Sequence, residues 1–117
     1  MLAPARLLEI EERFGGYIQS IAPLELDGET LRLILYLKGD THLRVTEKWR
    51  GNVLERYSYY WLTAENQLKI GWDNAPHNTH LPNFPHHKHV GRRENRRPSF
   101  ETSLEDVMKV IMPQLPR

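Results

Sequence analysis

The sequence predicts a single α+β domain: an antiparallel five-stranded meander sheet with an N-terminal and a C-terminal helix packed on one face. Three observations predict it. Apolar residues recur at three- and four-residue spacing near both ends of the chain, they alternate with polar ones through the middle, and turn-forming pairs separate the alternating runs. A length of 117 residues suits one core, so residues 1–117 are read as one domain.

The first element is a helix. Leu7, Ile10, Phe14 and Ile18 form its apolar stripe, Glu9, Glu11, Glu12 and Arg13 its polar side, and Pro4 sits where a helix start tolerates proline. Gly15-Gly16 is expected to end it, because glycine is costly inside a helix and favourable just after one. The period then changes to two. Leu31, Leu33, Leu35 and Leu37 alternate with Arg32, Ile34, Tyr36 and Lys38, and similar runs carry Tyr57, Tyr59, Trp61 and then Leu68, Ile70, Trp72. Turn residues at Asp27-Gly28, Gly39-Asp40, Gly51-Asn52 and Glu65-Asn66 divide the chain into strands near 18–25, 30–38, 41–49, 52–62 and 67–73, with Pro23 marking the first as an edge.

Three-residue loops at Lys38-Gly39-Asp40 and Arg50-Gly51-Asn52 set a register. Leu35 then opposes Leu43, Leu33 opposes Val45, Val45 opposes Tyr57, and Leu43 opposes Tyr59. One face becomes continuously apolar, while Arg32, His42, Arg44, Lys48, Arg56, Ser58 and Tyr60 gather on the other as a basic and aromatic surface. Asp73–Pro98 holds four prolines and reads mostly as loop, with an extended piece at His86–Val90. The chain closes with a helix that carries a Thr102/Glu105 capping box, an apolar stripe at Leu104, Val107, Val110 and Ile111, and a stop at Pro113.

Composition removes several classes of function. There is no apolar run near the ~20 residues of a membrane span, and no charged segment followed by an apolar one at the N-terminus. Cysteine is absent, which excludes disulfides and thiolate metal sites and agrees with a cytoplasmic address. No serine sits in a nucleophile elbow, so acyl transfer finds little support. Charge is uneven: Lys88, Arg92, Arg93, Arg96 and Arg97 face only Glu94, a local +4 in a chain of net charge +1, which suits phosphates or an acidic partner.

Five of the six histidines fall between Asp73 and Val90, interleaved with Pro76, Pro82 and Pro85. Proline-held loops lose little entropy on ordering, and imidazole suits proton transfer near neutral pH. If His86–Val90 is extended, His87 and His89 point to one side, and His86 and Lys88 to the other. Two chemistries fit. In metal-independent RNA cleavage, histidines among His77, His86, His87 and His89 act as base and acid, Asp73 orients an imidazole, and Lys88, Arg44, Arg56, Arg92 and Arg93 hold phosphate. Alternatively, Asp73, His87 and His89, or His77 and His80, bind Zn²⁺ or Ni²⁺, although no recognised ligand spacing is present. Plainer roles compete with both. The histidines could brace the loop backbone, the arginine run could be a solvated tether, and the tyrosines and Trp61 could be core, leaving Trp49 as the exposed aromatic.

Asp73-Asn74-Ala75-Pro76-His77, followed by Leu81-Pro82-x-Phe84-Pro85-His86-His87-Lys88-His89-Val90, resembles the signature of the TumE-like family of small prokaryotic proteins. The similarity extends over the N-terminal helix, a meander with Arg56-Tyr57-Ser58-Tyr59, the histidine block and the C-terminal helix. It departs at Asn78 and Tyr60, where relatives tend to carry histidine. The resemblance implies the toxin half of a type II toxin–antitoxin pair, with a cognate helix-turn-helix antitoxin as partner. Ribonuclease activity on an RNA substrate follows from the histidines and from what small toxins commonly do, which is analogy. The rival functions are a non-catalytic nucleic-acid-binding module and a small His-rich metal-binding protein. No membrane partner is expected, and a homodimer is left open.

Overall fold

The computed structural model describes residues 1–76 and 83–116. Alternating leucines place half of each central strand against the helices and half toward solvent, and the turns between them are short enough to keep neighbours antiparallel. The sheet comprises β1 (Ile18–Asp27), β2 (Thr30–Leu37), β3 (His42–Arg50), β4 (Val53–Leu62), β5 (Leu68–Asp73), β6 (His87–Val90) and β7 (Arg96–Pro98), in sequential order. Helices α1 (Ala3–Phe14) and α2 (Leu104–Ile111) cover one face.

Seven strands rather than five is a correction. The expected meander matches β1–β5, but the loop-like segment continues the sheet: Asp73 pairs with His87, Gly71 with His89, and His89 in turn with Arg96. Strands of four and three residues are too short to show a period, and Arg96-Arg97-Pro98 carries no apolar alternation. Their physical role is to cover the outer edge of β5, whose backbone groups would otherwise be unpaired. Proline is tolerated in β7 because that strand is an edge, as it is in β1 at Pro23.

The β2–β3 register is as expected, with Leu35 opposite Leu43 and Leu33 opposite Val45. Between β3 and β4 the register differs by two residues: Val45 faces Tyr59, Leu43 faces Trp61, and Glu47 faces Tyr57. The hairpin closes at Arg50↔Val53, so its loop is the pair Gly51-Asn52, with Gly51 at φ +59°, and an irregularity follows at Lys48/Trp49. A slip of two preserves the faces. Leu33, Leu35, Leu43, Val45, Tyr57 and Tyr59 are all buried, while Arg44 and Arg56 are exposed on the opposite side.

The helix-packed face is not wholly apolar. Glu47 is 0% exposed and meets Arg6 of α1, itself 1% exposed, at 2.8 Å. Arg6 also bonds Glu9, and it reaches Glu105 of α2 at 2.8 Å, while Tyr59 and Trp49 donate to Glu47 at 2.6 and 2.9 Å. This network ties both helices to the sheet. It also bears on a second correction, to the N-terminal cap of α2. Ser103 caps α2 by accepting from the Asp106 N–H, and Asp106 reaches back to the Thr102 N–H, one residue later than the expected box. Glu105 is free for Arg6 as a result. Ile18, assigned to the first helical stripe, instead opens β1 after a 3₁₀ turn at Gly15–Tyr17.

Candidate functional site

Strand pairing builds the site. Tyr60 of β4 faces Gly71 of β5, which faces His89 of β6, which faces Arg96 of β7; the next row is Ser58, Asp73 and His87. Partners across a sheet share a face, so these side chains stand on the open face, away from the helices. Gly71 matters here: a Cβ at that position would lie 2.5 Å from the Tyr60 ring, so the ring lies over bare backbone.

The carboxylate of Asp73 bridges two imidazoles. Its Oδ1 lies 2.8 Å from His87 Nε2 and its Oδ2 lies 3.3 Å from His89 Nε2. The Tyr60 hydroxyl donates to Oδ2 at 3.1 Å and the Ala75 N–H to Oδ1 at 3.0 Å. Each imidazole turns its other nitrogen to a backbone carbonyl: His87 Nδ1 is 3.1 Å from Pro85 O, and His89 Nδ1 is 2.7 Å from Arg93 O. A carbonyl can only accept, so this network assigns a hydrogen to both Nδ1 atoms. Both Nε2 atoms therefore face one carboxylate, and a proton or a cation must lie between, since a bare lone pair would repel an ionised oxygen.

The same contacts shift His89, Asp73 and Tyr60. The hydrogen bond with Asp73 raises His89 above the ordinary histidine value against the opposing effect of burial, with help from the Arg93 carbonyl. Burial alone would push Asp73 up. The bonds from His89, Ala75 and Tyr60, with the nearby His87, outweigh it and hold the carboxyl below its usual range. Burial and the Asp73 charge push the Tyr60 phenol up to about 12, so it stays protonated and donates.

Arg56, Arg93 and Arg96 line the same cleft, whose volume is about 360 Å³. The Arg93 guanidinium sits 5.5 Å over the Tyr60 ring, and that ring stacks on His89 at 6.3 Å. Asp73, His87 and His89 are also the group that could hold a metal: among the described residues their ligand atoms lie within 4.8 Å of one another. Nδ1–H donation to carbonyls with Nε2 turned inward is the usual posture of metal-ligating histidine, and this donor set suits Zn²⁺ or Ni²⁺.

Other candidates fall elsewhere. Lys88 projects from the opposite side of β6 and pairs with Glu101 at 3.3 Å. His86 also lies off the cleft, with Nδ1 2.9 Å from the Tyr57 hydroxyl; burial, then the neighbouring His87, lowers its pKa. Arg92 is exposed in the β6–β7 turn and does not line the cleft, and Arg44 borders the adjoining hollow with Tyr60 and Arg93. His77 and His80, with Asn78, lie outside the described residues. The sequence reading placed Tyr60 on the open face and Arg96 in the basic patch but gave neither a role beside Asp73, and it did not single out Gly71, because these roles depend on the β4–β7 pairing. Asn74 was missed as well. Its side chain accepts from the Tyr57 N–H at 2.9 Å and donates to Glu55 O at 3.1 Å, which anchors the end of β5 beside Asp73.

No helix among the described residues is long and apolar enough to cross a membrane. A family model described as Toxin TumE matches residues 6–115, which takes in most of α1, all of α2, the whole sheet and the Asp73–His87–His89 cluster. Searches of curated proteins and of solved structures returned no match. With nearly its whole length matched, the chain belongs to the TumE toxin family.

Proposed function

We propose that this toxin cleaves RNA without a metal, in the cleft around Asp73. The observation that carries the reading is the Asp73 carboxylate bridging His87 and His89 inside a ring of Arg56, Arg93 and Arg96. The arginines supply charge to hold a phosphodiester and to stabilise the phosphorane that forms on it. The cluster supplies both halves of acid–base catalysis. With a proton on each Nε2 it carries one net positive charge and donates; with one proton fewer it accepts. In the reaction it takes the proton of a ribose 2′-hydroxyl as that oxygen bonds to phosphorus. It returns a proton to the 5′-oxygen as the P–O5′ bond breaks, leaving a 2′,3′-cyclic phosphate and a 5′-hydroxyl. The proton count on the cluster is restored.

The partner is taken to be a cognate helix-turn-helix antitoxin, and the compartment the cytoplasm. Arg92, exposed beside the cleft, and Arg44, in the next hollow, serve in this reading to attract phosphate.

The test is cleavage of a single-stranded RNA with product ends identified by mass, for the parent protein and Asp73→Asn, with and without EDTA. Cyclic phosphate ends, insensitivity to chelator, and a ~10²–10⁴-fold loss in the variant are expected. Binding whose affinity falls with salt, with no cleavage, would instead identify a non-catalytic nucleic-acid-binding module. A second reading is favoured by the inward-facing Nε2 atoms: Asp73, His87 and His89 would hold Zn²⁺ or Ni²⁺. In that case EDTA abolishes activity and the metal restores it.

A further inference from the structure

The cleft does not end at Tyr60. Tyr60 and Arg93 also border a second hollow that reaches Arg44 and Asn66, and those two residues border a third, of about 580 Å³, at the far end of the open face. The three hollows therefore form one track across β6 to β2. In the third hollow Tyr36 is 41% exposed, its ring 5.8 Å from that of His42. His42 is buried beneath the surface and is held by Asn66, which also accepts from Arg44 at 3.4 Å. Tyr36 is thus a braced aromatic face beside a guanidinium, presented to solvent.

From this geometry we infer that Tyr36, backed by His42, is a base-stacking subsite for a single-stranded RNA whose cleaved phosphate sits at Asp73. The inference rests on the RNA-cleaving reading of that cluster. The occupant follows from the chemistry of the track. Arg96 and Arg93 line the first hollow, Arg93 and Arg44 the second, and Arg44 the third, so that guanidinium groups recur along the track against the acidic Asp73 at one end and Asp40 at the other, which suits a phosphate chain. An aromatic face accepts any base without hydrogen-bond readout, so a positively charged groove with stacking platforms describes a single-strand binder. Strand spacing sets the length. His89 and Tyr36 lie four strands apart and two residues offset, on the order of 20 Å, a span for an oligonucleotide of about four residues, the short end of single-strand sites. A duplex cannot offer an unstacked base to Tyr36.

The experiment is fluorescence anisotropy with labelled 2′-O-methyl oligonucleotides, which lack the nucleophile and stay intact. A dinucleotide and a hexanucleotide are compared on the parent protein, Tyr36→Ala and Tyr36→Phe. Tyr36→Ala should weaken the hexanucleotide about 5- to 150-fold, the effect of one stacked base, leave the dinucleotide unchanged, and leave the melting temperature unchanged. Tyr36→Phe should bind as the parent does. Unchanged hexanucleotide affinity in Tyr36→Ala, equal loss for both lengths, or a duplex binding as tightly as the single strand would each overturn the subsite. The two readings fail separately. Tyr36-dependent binding by a protein that cuts no RNA removes the cleavage and keeps the subsite, whereas cleavage with no dependence on Tyr36 removes the subsite alone.

Discussion

The ring of Tyr60 occupies the space that a side chain at Gly71 would need, with Tyr60 Cδ1 and Cε1 both 2.5 Å from an added Cβ. The relationship couples a strand glycine to the chemistry one row away, because the same tyrosine donates to Asp73 and carries Arg93 on its ring. Gly71→Ala should push the ring off the sheet, costing about 1–3 kcal/mol of overpacking strain and breaking the bond to Asp73. Tyr60→Phe removes only the hydroxyl and keeps the stack. RNA cleavage should therefore fall further in Gly71→Ala than in Tyr60→Phe, and melting temperature should fall mainly in the former. Parent-like cleavage in Gly71→Ala would show that the ring position is irrelevant.

The buried Arg6–Glu47 pair yields a prediction about the fold. Arg6 holds α1 to β3 and α2 at once, and Glu47 accepts from Arg6, Tyr59 and Trp49 without exposure to water. Removing one partner of a buried ion pair leaves an uncompensated charge, at about 3–5 kcal/mol. Arg6→Met should lose that amount in chemical denaturation. Arg6→Met with Glu47→Gln should recover much of it, since the stranded charge is gone. A double variant no better than the single one would place the cost in lost packing of the arginine instead.

Most of this fold is legible in the sequence because most of it depends on local pattern. Leucines at two-residue spacing define β2, and Gly39-Asp40 closes its hairpin at positive φ as such residues do. What escapes is whatever depends on partners far along the chain. A glutamate at an inward position of β3 looks like a defect until Arg6, 41 residues away, is seen to meet it. The shifted β3–β4 register arises from a two-residue turn plus an irregularity, and both alternatives obey the same alternation. In the site, alternation along His86–Val90 already separates His87 and His89 from His86 and Lys88. It does not reveal that Asp73 pairs with His87 across the sheet, or that both histidines are buried with each Nδ1 bound to a carbonyl. Their burial makes both imidazoles part of the packing as well as of the candidate site. Truncating either one leaves partners unpaired, at ~1–3 kcal/mol each, which is why Asp73→Asn is the cleaner probe.

His42 gives a pH dependence with a defined sign. Burial, then the neighbouring Arg44 charge, lower its pKa, and the hydrogen bond to Asn66 only partly offsets them; Tyr36 and the paired Leu62 complete its surroundings. The folded protein thus holds His42 neutral below the pH at which the unfolded chain, near the ordinary value of ~6.5, takes up a proton. Where the unfolded state binds more protons, stability falls as pH falls. The contribution is fully present above about pH 6.5 and is lost as pH drops through the lower folded value. Subtracting the stability curve of His42→Gln from that of the parent between pH 8 and 5 isolates it from the other histidines. A difference that stays flat, or that grows on acidification, contradicts the assignment.

The antitoxin should recognise the charge that the substrate needs. Arg93 lines the cleft and Arg92 stands exposed beside it in the β6–β7 turn, so an acidic segment laid across this turn would both neutralise the positive rim and obstruct the cleft. Rim charges act on encounter more than on the bound state, because long-range attraction raises the rate of productive collisions and is screened by salt. Reversing Arg92 and Arg93 to glutamate should slow association with the antitoxin at low ionic strength and flatten its dependence on salt, with a smaller change in dissociation. Arg92 separates docking from catalysis, since it does not line the cleft. Arg92→Glu alone should slow association with the antitoxin and raise the KM for a short RNA, while cleavage at saturating RNA stays close to the parent rate, because a charge that only attracts phosphate acts on encounter. Stopped-flow association across a salt series measures both variants, and an on-rate unaffected in the double variant would move the antitoxin to another face of the sheet.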